Sequence, residues 1–398
     1  MDAPIIEPVT GRILIVDDDV AIRDLLTLRL NAHGFATMSS TTGKDALEVI
    51  SLNEFDLVLL DVEMPELNGF DVLRQIRALH SPLELPVIMV TGRNGSTDVV
   101  NALEIGANDY VTKPVDLPVA LARIRTHIAL RQAQGRVVDA HLQTLKDLDA
   151  AGSMQRSLLP THCVSNTAIR YGWQYFPCAA LGGDLLNVFW ITDRYLGFYV
   201  LDVSGHGIPS ALMSVAVSRS LSPHLRQGSV IVDINPQSPT PIVVPPAEVA
   251  RRLNGSYQMS ETGGLFFTLQ YGVIDLVCRT MSFVCAGHPN PVKIGGSGYP
   301  VELPCIGGPP IGVLEEAEFV EASVDLERGD RVMLFSDGVY EQRNSAGEPF
   351  GLERLRGSMA VAEPDCERAT QSVLRDLRAW NGRGGFTDDI SLLALQLV

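Results

Sequence analysis

Five short apolar runs, each followed by an amphipathic stretch, fill the first 130 residues. They are RILIV before AIRDLLTLRLNAHG, FATMS before GKDALEVISL, DLVLL before GFDVLRQIRALH, PVIMV before STDVVNALEIGA, and DYVT before LPVALARIRTHIAL. Near-continuous apolar runs are strands buried on both faces, and helical crossovers force such strands parallel. The expectation for residues 1–130 is an α/β domain with a five-stranded, doubly wound parallel sheet. In such sheets chemistry gathers at the carboxyl ends of the strands. Asp17 and Asp18 follow the first run, Asp61 the third, Thr91 the fourth, and Lys113 the fifth. Singly, each acid reads as the solvated end of a loop. Crowded together, three carboxylates repel unless a cation sits among them, and all-oxygen ligands suit magnesium. A lysine and a hydroxyl nearby can hold phosphoryl oxygens.

The motifs VDDD, LLDVEMP, VTG and YVTKP, in that order over residues 11–130, resemble the receiver domain of two-component response regulators. The resemblance implies Asp61 as the phosphoryl acceptor, forming an acyl phosphate. It implies Asp17 and Asp18 as magnesium-side acids, with the carbonyl of Glu63 as a further ligand. Thr91 and Lys113 are then the residues that sense the phosphoryl group, and Tyr110 the aromatic that changes rotamer with it. A sensor histidine kinase or phosphotransfer protein is the implied phosphodonor.

From Leu117 the apolar positions are Leu117, Leu121, Ile124 and Ile128, then Val138, Leu142, Leu145 and Leu148. Intervals of three and four make a heptad seam, interrupted around Arg131 and Gly135. One long helix, or two joined near Gly135, is expected to run from the first domain to Leu159, where Pro160 stops it. Residues 131–159 form the linker. Its seam has two readings: packing on the chain's own domains, or a coiled coil with a second copy, which makes a homodimer.

After residue 165 the pattern turns to longer β-type runs in hairpins. In GGDLLNVFWITDRYLGFYVLDVSGHG two apolar arms flank Thr192-Asp193-Arg194, with Asp184 nine residues before Asp193 and Asp202 nine after it. Antiparallel pairing about that turn sets Asp184 opposite Asp202, with Cβ atoms roughly 4.5–5.5 Å apart. Two like charges that close are destabilising without a cation between them. Asp337 ends the run RVMLFSD, and Asp388 and Asp389 precede the last one. Oxygen-only ligands point to magnesium or manganese rather than zinc, and such clusters can hold two ions that activate water and clamp a phosphate.

The order GGD, DVSGHG, FFTLQYGVID, CAGHPNP, LFSDG, TDD over roughly residues 150–398 resembles the SpoIIE-type branch of the PPM family of metal-dependent phosphatases. AGSMQRSLLP likewise resembles the segment that opens these domains. The resemblance implies an α+β sandwich of two antiparallel sheets with helices outside, over residues 160–398. It implies two manganese or magnesium ions, with Asp202 bridging both and the Val203 carbonyl completing one. Asp337 and Asp388 hold the second metal, and Asp184 acts largely through metal-bound water. Asp202 and Asp184 are thus the catalytic acids of a protein-serine/threonine phosphatase in which water attacks phosphorus directly. The implied substrate is a phosphorylated STAS-type anti-sigma-factor antagonist. Asn187 departs from the pattern, standing where many relatives carry a further acid. His206 reads either as a general acid or as a turn residue, and His288 as a turn residue bonding backbone. Pro236, Pro239, Pro241, Pro245 and Pro246 mark a loop that reads as a surface insertion or a substrate contact.

The net charge of −16 opposes a nucleic-acid partner and an anionic membrane surface. No apolar run is long enough to span a bilayer, and MDAPIIEPVTGR shows no secretory signal. The six cysteines lack C-x-x-C spacing and read as small buried hydrophobes in a reducing cytoplasm. A competing reading is a non-catalytic adaptor that binds a sigma factor or its anti-sigma-factor antagonist. Loss of the metal aspartates is the sign of that state, and all four are present.

Overall fold

The structure, a computed structural model, describes residues 10–92, 96–160, 168–223, 229–233, 241–361, 363, 365–382 and 384–398, with the side chains of 96–98 excepted. Cys163, Pro236 and Pro239 lie outside the described residues. The chain divides into two compact units, Met1–Thr144 and Leu145–Val398, and each is taken by itself.

In the first unit, strands β1 (Arg12–Val16), β2 (Ala36–Ser40), β3 (Leu57–Asp61), β4 (Val87–Thr91) and β5 (Asp109–Thr112) form one sheet in the order β2-β1-β3-β4-β5. Every pairing is parallel. Helices α1 (Val20–Ala32), α2 (Gly43–Leu52), α3 (Gly69–Leu79) and α4 (Ser96–Ile105) make the crossovers. Alternate residues of one strand serve opposite faces. Leu14, Val58 and Leu60 meet Val72 and Ile76 of α3, while Ile13, Leu57 and Leu59 meet Leu26 and Leu30 of α1. The helices start where the sequence supplies caps: Asp19, Thr42 and Asn68 accept from first-turn N–H groups, each contributing about 1 kcal/mol.

Helix α5 runs unbroken from Leu117 to Arg156. The heptad seam divides between the two readings given for it. Leu121, Ile124 and Ile128 are buried in the first unit's core, whereas Val138, Leu142 and Leu145 are each about half exposed. Gly135 does not break the helix, because one glycine costs only about 1 kcal/mol against a long run of bonded turns.

The second unit holds two five-stranded antiparallel sheets. One contains β7 (Leu185–Trp190), β8 (Tyr195–Val203), β11 (Phe267–Asp275), β12 (Thr280–Ala286) and β15 (Ala322–Asp325), in the order β15-β12-β11-β8-β7. The other contains β6 (Ile169–Phe176), β13 (Val292–Ile294), β14 (Pro300–Glu302), β16 (Arg331–Phe335) and β17 (Ile390–Leu397), in the order β14-β13-β16-β17-β6. Leu201, Leu269 and Phe283 of the first sheet share a core with Val332, Leu334 and Leu393 of the second. Helices α6 (Ile208–Ser220) and α7 (Pro246–Ser256) pack on the first sheet. Helices α9 (Gly351–Met359) and α10 (Cys366–Asn381) bury Leu355, Val373 and Leu377 against Met333 and Leu392 of the second. A short helix α8 (Asp337–Glu341) follows β16 at once, and a two-stranded ribbon pairs β9 (Val232–Asp233) with β10 (Ile242–Val243).

The cysteines depart from the expectation of uniform burial. Cys285 and Cys366 are buried, Cys178 and Cys305 are half-buried, and Cys278 is exposed. Cys278 lies in the turn between β11 and β12, where Asp275 accepts from the Val277 and Cys278 N–H groups. A turn that fixes its backbone in this way leaves the thiol facing out.

Candidate functional site

The first unit gathers its acids where β1 and β3 end. Asp17 and Asp61 are each 2% exposed, Asp18 is exposed, and one oxygen from each lies within 4.8 Å of the others. Lys113 follows β5 and sets its Nζ 2.9 Å from Asp17 and 3.0 Å from Asp61. Burial raises the Asp61 carboxyl above its ordinary range, Asp17 adds to the rise, and the hydrogen bond from Lys113 opposes it. Burial works against the Lys113 charge, but its bonds to Asp17 and Asp61 prevail and hold the ammonium above its usual value. Asp61 Oδ1 is buried with no hydrogen-bond partner. One lysine does not balance three carboxylates, so the set fits a hard divalent cation beside the orphaned oxygen.

Glu63, two residues on, brings its backbone N–H close enough to favour the ionised Asp61 carboxylate. Buried Thr91 ends β4, and its carbonyl accepts from the Lys113 N–H at 2.7 Å. Tyr110 is half-buried on β5 with the Arg123 guanidinium 5.2 Å from its ring centroid. Gly69 donates to the Val62 carbonyl at 3.0 Å, and any side chain there would collide with the Asp61 carbonyl.

In the second unit, the hairpin β7–β8 pairs Leu185 with Leu201 through Trp190 with Leu196. One step further in the same register sets Asp184 opposite Asp202, close enough for the two carboxyls to act on each other. Asp184 is 1% exposed, its Oδ2 has no hydrogen-bond partner, and the Ser336 and Ser391 side chains lie beside the same carboxyl. Burial, then the Asp202 and Asp389 charges, raise Asp184 well above the carboxylate range. Burial, then Asp337 and Asp388, push Asp202 up to about 7. Asp337, the first residue of α8, and Asp388, just before β17, are both raised, first by burial. His206 is exposed and close enough for its charge to act on Asp388. Among the described residues only Asp17, Asp18 and Asp61 bring three such ligand atoms within 4.8 Å, so the second set is spread more widely. Buried acids that raise one another, around an orphaned oxygen, fit oxygen-loving divalent cations.

Three contacts shape this site that sequence reading did not supply. Asp389 is a scaffold: its carboxylate accepts from the N–H groups of Cys178 at 2.8 Å, Gly183 at 2.6 Å and Asp184 at 3.2 Å. Gln155, in the last turn of α5, bonds both polar groups of the Gly182 peptide. Asn187 donates to the Leu158 carbonyl at 3.0 Å, tying β7 to the segment after α5. The doubled acid TDD was the signal for Asp389, while its partners lie about two hundred residues away. Gly183 leaves the Val203 carbonyl open, since a Cβ there would sit 2.7 Å from that oxygen. His288 is buried, and its Nδ1 lies 2.7 Å from the Thr268 hydroxyl.

Residues 192–398 match the family described as Stage II sporulation protein E (SpoIIE), and residues 13–125 match the response regulator receiver domain. Asp184 and Gln155 precede the first of these matches. The SiaA-PP2C domain of Pseudomonas aeruginosa has the same fold at 21% identity and a TM-score of 0.53, covering 65% of this chain and 98% of its own. The uncharacterized transcriptional regulatory protein YkoG of Bacillus subtilis (strain 168) is 44% identical over 122 residues, 31% of this chain and 52% of its own. The transcriptional regulatory protein AfsQ1 of Streptomyces coelicolor is 41% identical over 128 residues, 32% of this chain and 55% of its own. The chain thus spans about half the length of these curated relatives, and the likeness lies in the receiver. No helix among the described residues is long and apolar enough to cross a membrane. With more than half its length matched, the chain belongs to the SpoIIE family, as a response regulator whose receiver domain precedes a PP2C-type phosphatase domain.

Proposed function

We propose that this chain hydrolyses phosphoserine and phosphothreonine on a protein substrate, with divalent cations, under control of phosphorylation at Asp61. One observation carries the reading: the β7–β8 hairpin sets Asp184 opposite Asp202, and burial, then the Asp337 and Asp388 charges, push Asp202 up to about 7. A site that only stabilised the fold would not keep four like-charged carboxyls together. Asp202, the Val203 carbonyl, Asp337 and Asp388 are the residues to hold two manganese or magnesium ions, with Asp184 acting largely through water. Bound there, such ions supply an activated water at neutral pH and neutralise charge on a phosphate.

The chain's own residues set the geometry. Asp389 holds the loop carrying Gly183 and Asp184, and Ser336 and Ser391 flank the Asp184 carboxyl. In the receiver, Asp17, Asp18, Asp61 and the Glu63 carbonyl are the residues to hold magnesium. Lys113 stands ready for phosphoryl oxygens, Thr91 is the second sensing residue, and Tyr110 the aromatic that responds. A sensor histidine kinase or phosphotransfer protein supplies the phosphoryl group. SpoIIE-family membership supports a phosphorylated STAS-type anti-sigma-factor antagonist as substrate, and a cytoplasmic setting. The exposed seam at Val138, Leu142 and Leu145 supports a homodimer through the linker.

Phosphoserine and phosphothreonine peptides, assayed with manganese before and after a small-molecule phosphodonor, test this reading. We expect phosphate release that the donor changes in the wild type and leaves at the basal rate in Asp61→Asn. A full donor response in Asp61→Asn would remove the receiver from the account.

A further inference from the structure

Residues 305–308 run alongside β12 in the second unit. The Gly308 N–H donates to the Cys285 carbonyl at 3.2 Å, and the Gly287 N–H donates to the Gly308 carbonyl at 2.8 Å. This pairing brings the Cys305 thiol over the strand, 3.9 Å from the Phe283 carbonyl and 3.6 Å from that of Val320. The Cys285 sulfur lies 3.5 Å from Gln270 Nε2, and the two thiols are near enough to perturb each other. Both line one cavity of about 370 Å³, shared with His288, Tyr340 and the exposed Ile306. Nothing in the proposed phosphatase chemistry uses this pair.

We infer that Cys285 and Cys305 form a dithiol site that a hydroperoxide entering this cavity oxidises to an intramolecular disulfide. The roles differ by environment. Cys305 is the more exposed, and its interaction with Cys285 lowers its thiol to about 6, while Cys285 is pushed up and keeps its proton. The Cys305 thiolate is therefore the attacking group. Its sulfur takes the distal peroxide oxygen, the O–O bond breaks, and the departing alkoxide or hydroxide takes up a proton. The Cys285 thiol then attacks the resulting sulfenic sulfur, its proton leaves with the hydroxyl as water, and the S–S bond closes. Two thiols and one hydroperoxide give one disulfide, one alcohol (water, from hydrogen peroxide) and one water. The two electrons lost by the sulfurs reduce the O–O bond. The disulfide fastens the 305–308 segment to β12 at the cavity wall.

The test treats the reduced full chain with hydrogen peroxide, then alkylates it in denaturant and maps every thiol by mass spectrometry. Exposed Cys278 serves as the internal reference. We expect free thiols to fall from six to four per chain, one linked peptide pair carrying Cys285 and Cys305, and full recovery with dithiothreitol. In Cys285→Ser the link is absent and Cys305 proceeds to sulfinic acid. The inference is overturned if both thiols stay fully alkylatable at a dose that oxidises Cys278. It is equally overturned if wild-type Cys305 accumulates as sulfinic acid, or is linked to any other cysteine.

Discussion

The side-chain amide of Gln155 pairs with both polar groups of the Gly182 peptide: Nε2 donates to the carbonyl oxygen at 2.7 Å, and Oε1 accepts from the N–H at 3.2 Å. Gln155 is 3% exposed, and Nε2 also lies 3.1 Å from the Ser214 hydroxyl of α6. The last turn of α5 thereby grips the chain two residues before Asp184. A change in the set of that turn reaches the acidic site through one amide.

Gln155→Ala leaves the Gly182 peptide buried and unpaired, a cost of about 1–3 kcal/mol. The fold retains its two sheets, so the loss falls on the placement of Asp184. We expect kcat to drop roughly 10–100-fold with KM for the phosphopeptide nearly unchanged. Steady-state kinetics at saturating manganese, beside a thermal melt to confirm folding, measure this.

Asp184→Asn removes a buried charge that burial, Asp202 and Asp389 all disfavour. A carboxyl raised in the folded state makes the fold less stable at neutral pH, because the unfolded chain gives up that proton far more readily. Metal-free Asp184→Asn should therefore be more stable than the metal-free wild type, by about 1–3 kcal/mol at pH 7. The order should reverse with manganese, which stabilises the wild type by binding the folded state and has less to bind in the variant. Melting curves in chelator and in manganese give both comparisons.

His288 is buried, and burial lowers its imidazole to about 3. The unfolded chain takes up this proton near pH 6.5, the folded chain only near 3. The stability this group contributes is complete above pH 6.5 and is lost as pH falls toward 3. Between pH 6.5 and 5 the loss is about 2 kcal/mol from this residue. Urea unfolding at the two pH values should show a shallower acid loss in His288→Gln than in the wild type.

Much of this architecture was legible because the deciding interactions are local. Five apolar runs interleaved with amphipathic stretches settle the receiver sheet, and Asp17, Asp61 and Lys113 stand at its strand ends by chain order alone. The opposition of Asp184 and Asp202 followed from counting outward from Thr192-Asp193-Arg194, since a hairpin register is set by its turn. Gln155 and Asp389 escaped because their partners are backbone groups, which leave no mark in the sequence. Asp389 sits 211 residues from Cys178 and 206 from Gly183, and only the pairing of β17 with β6 brings it there. The α5 seam was legible only as a pattern: identical spacing buries Ile124 and Ile128 and leaves Val138 and Leu142 half exposed. Periodicity shows that a face is apolar and not what covers it.

Asp202 is the acid on which a metal-dependent phosphate-ester site in this chain depends. The direct measurement is hydrolysis of p-nitrophenyl phosphate across a manganese titration, by the wild type and by Asp202→Ala of verified fold. We expect saturable, chelator-reversible turnover in the wild type and a loss of at least about a hundredfold in the variant. Equal rates in the two proteins, or turnover indifferent to manganese and chelator, would contradict the account.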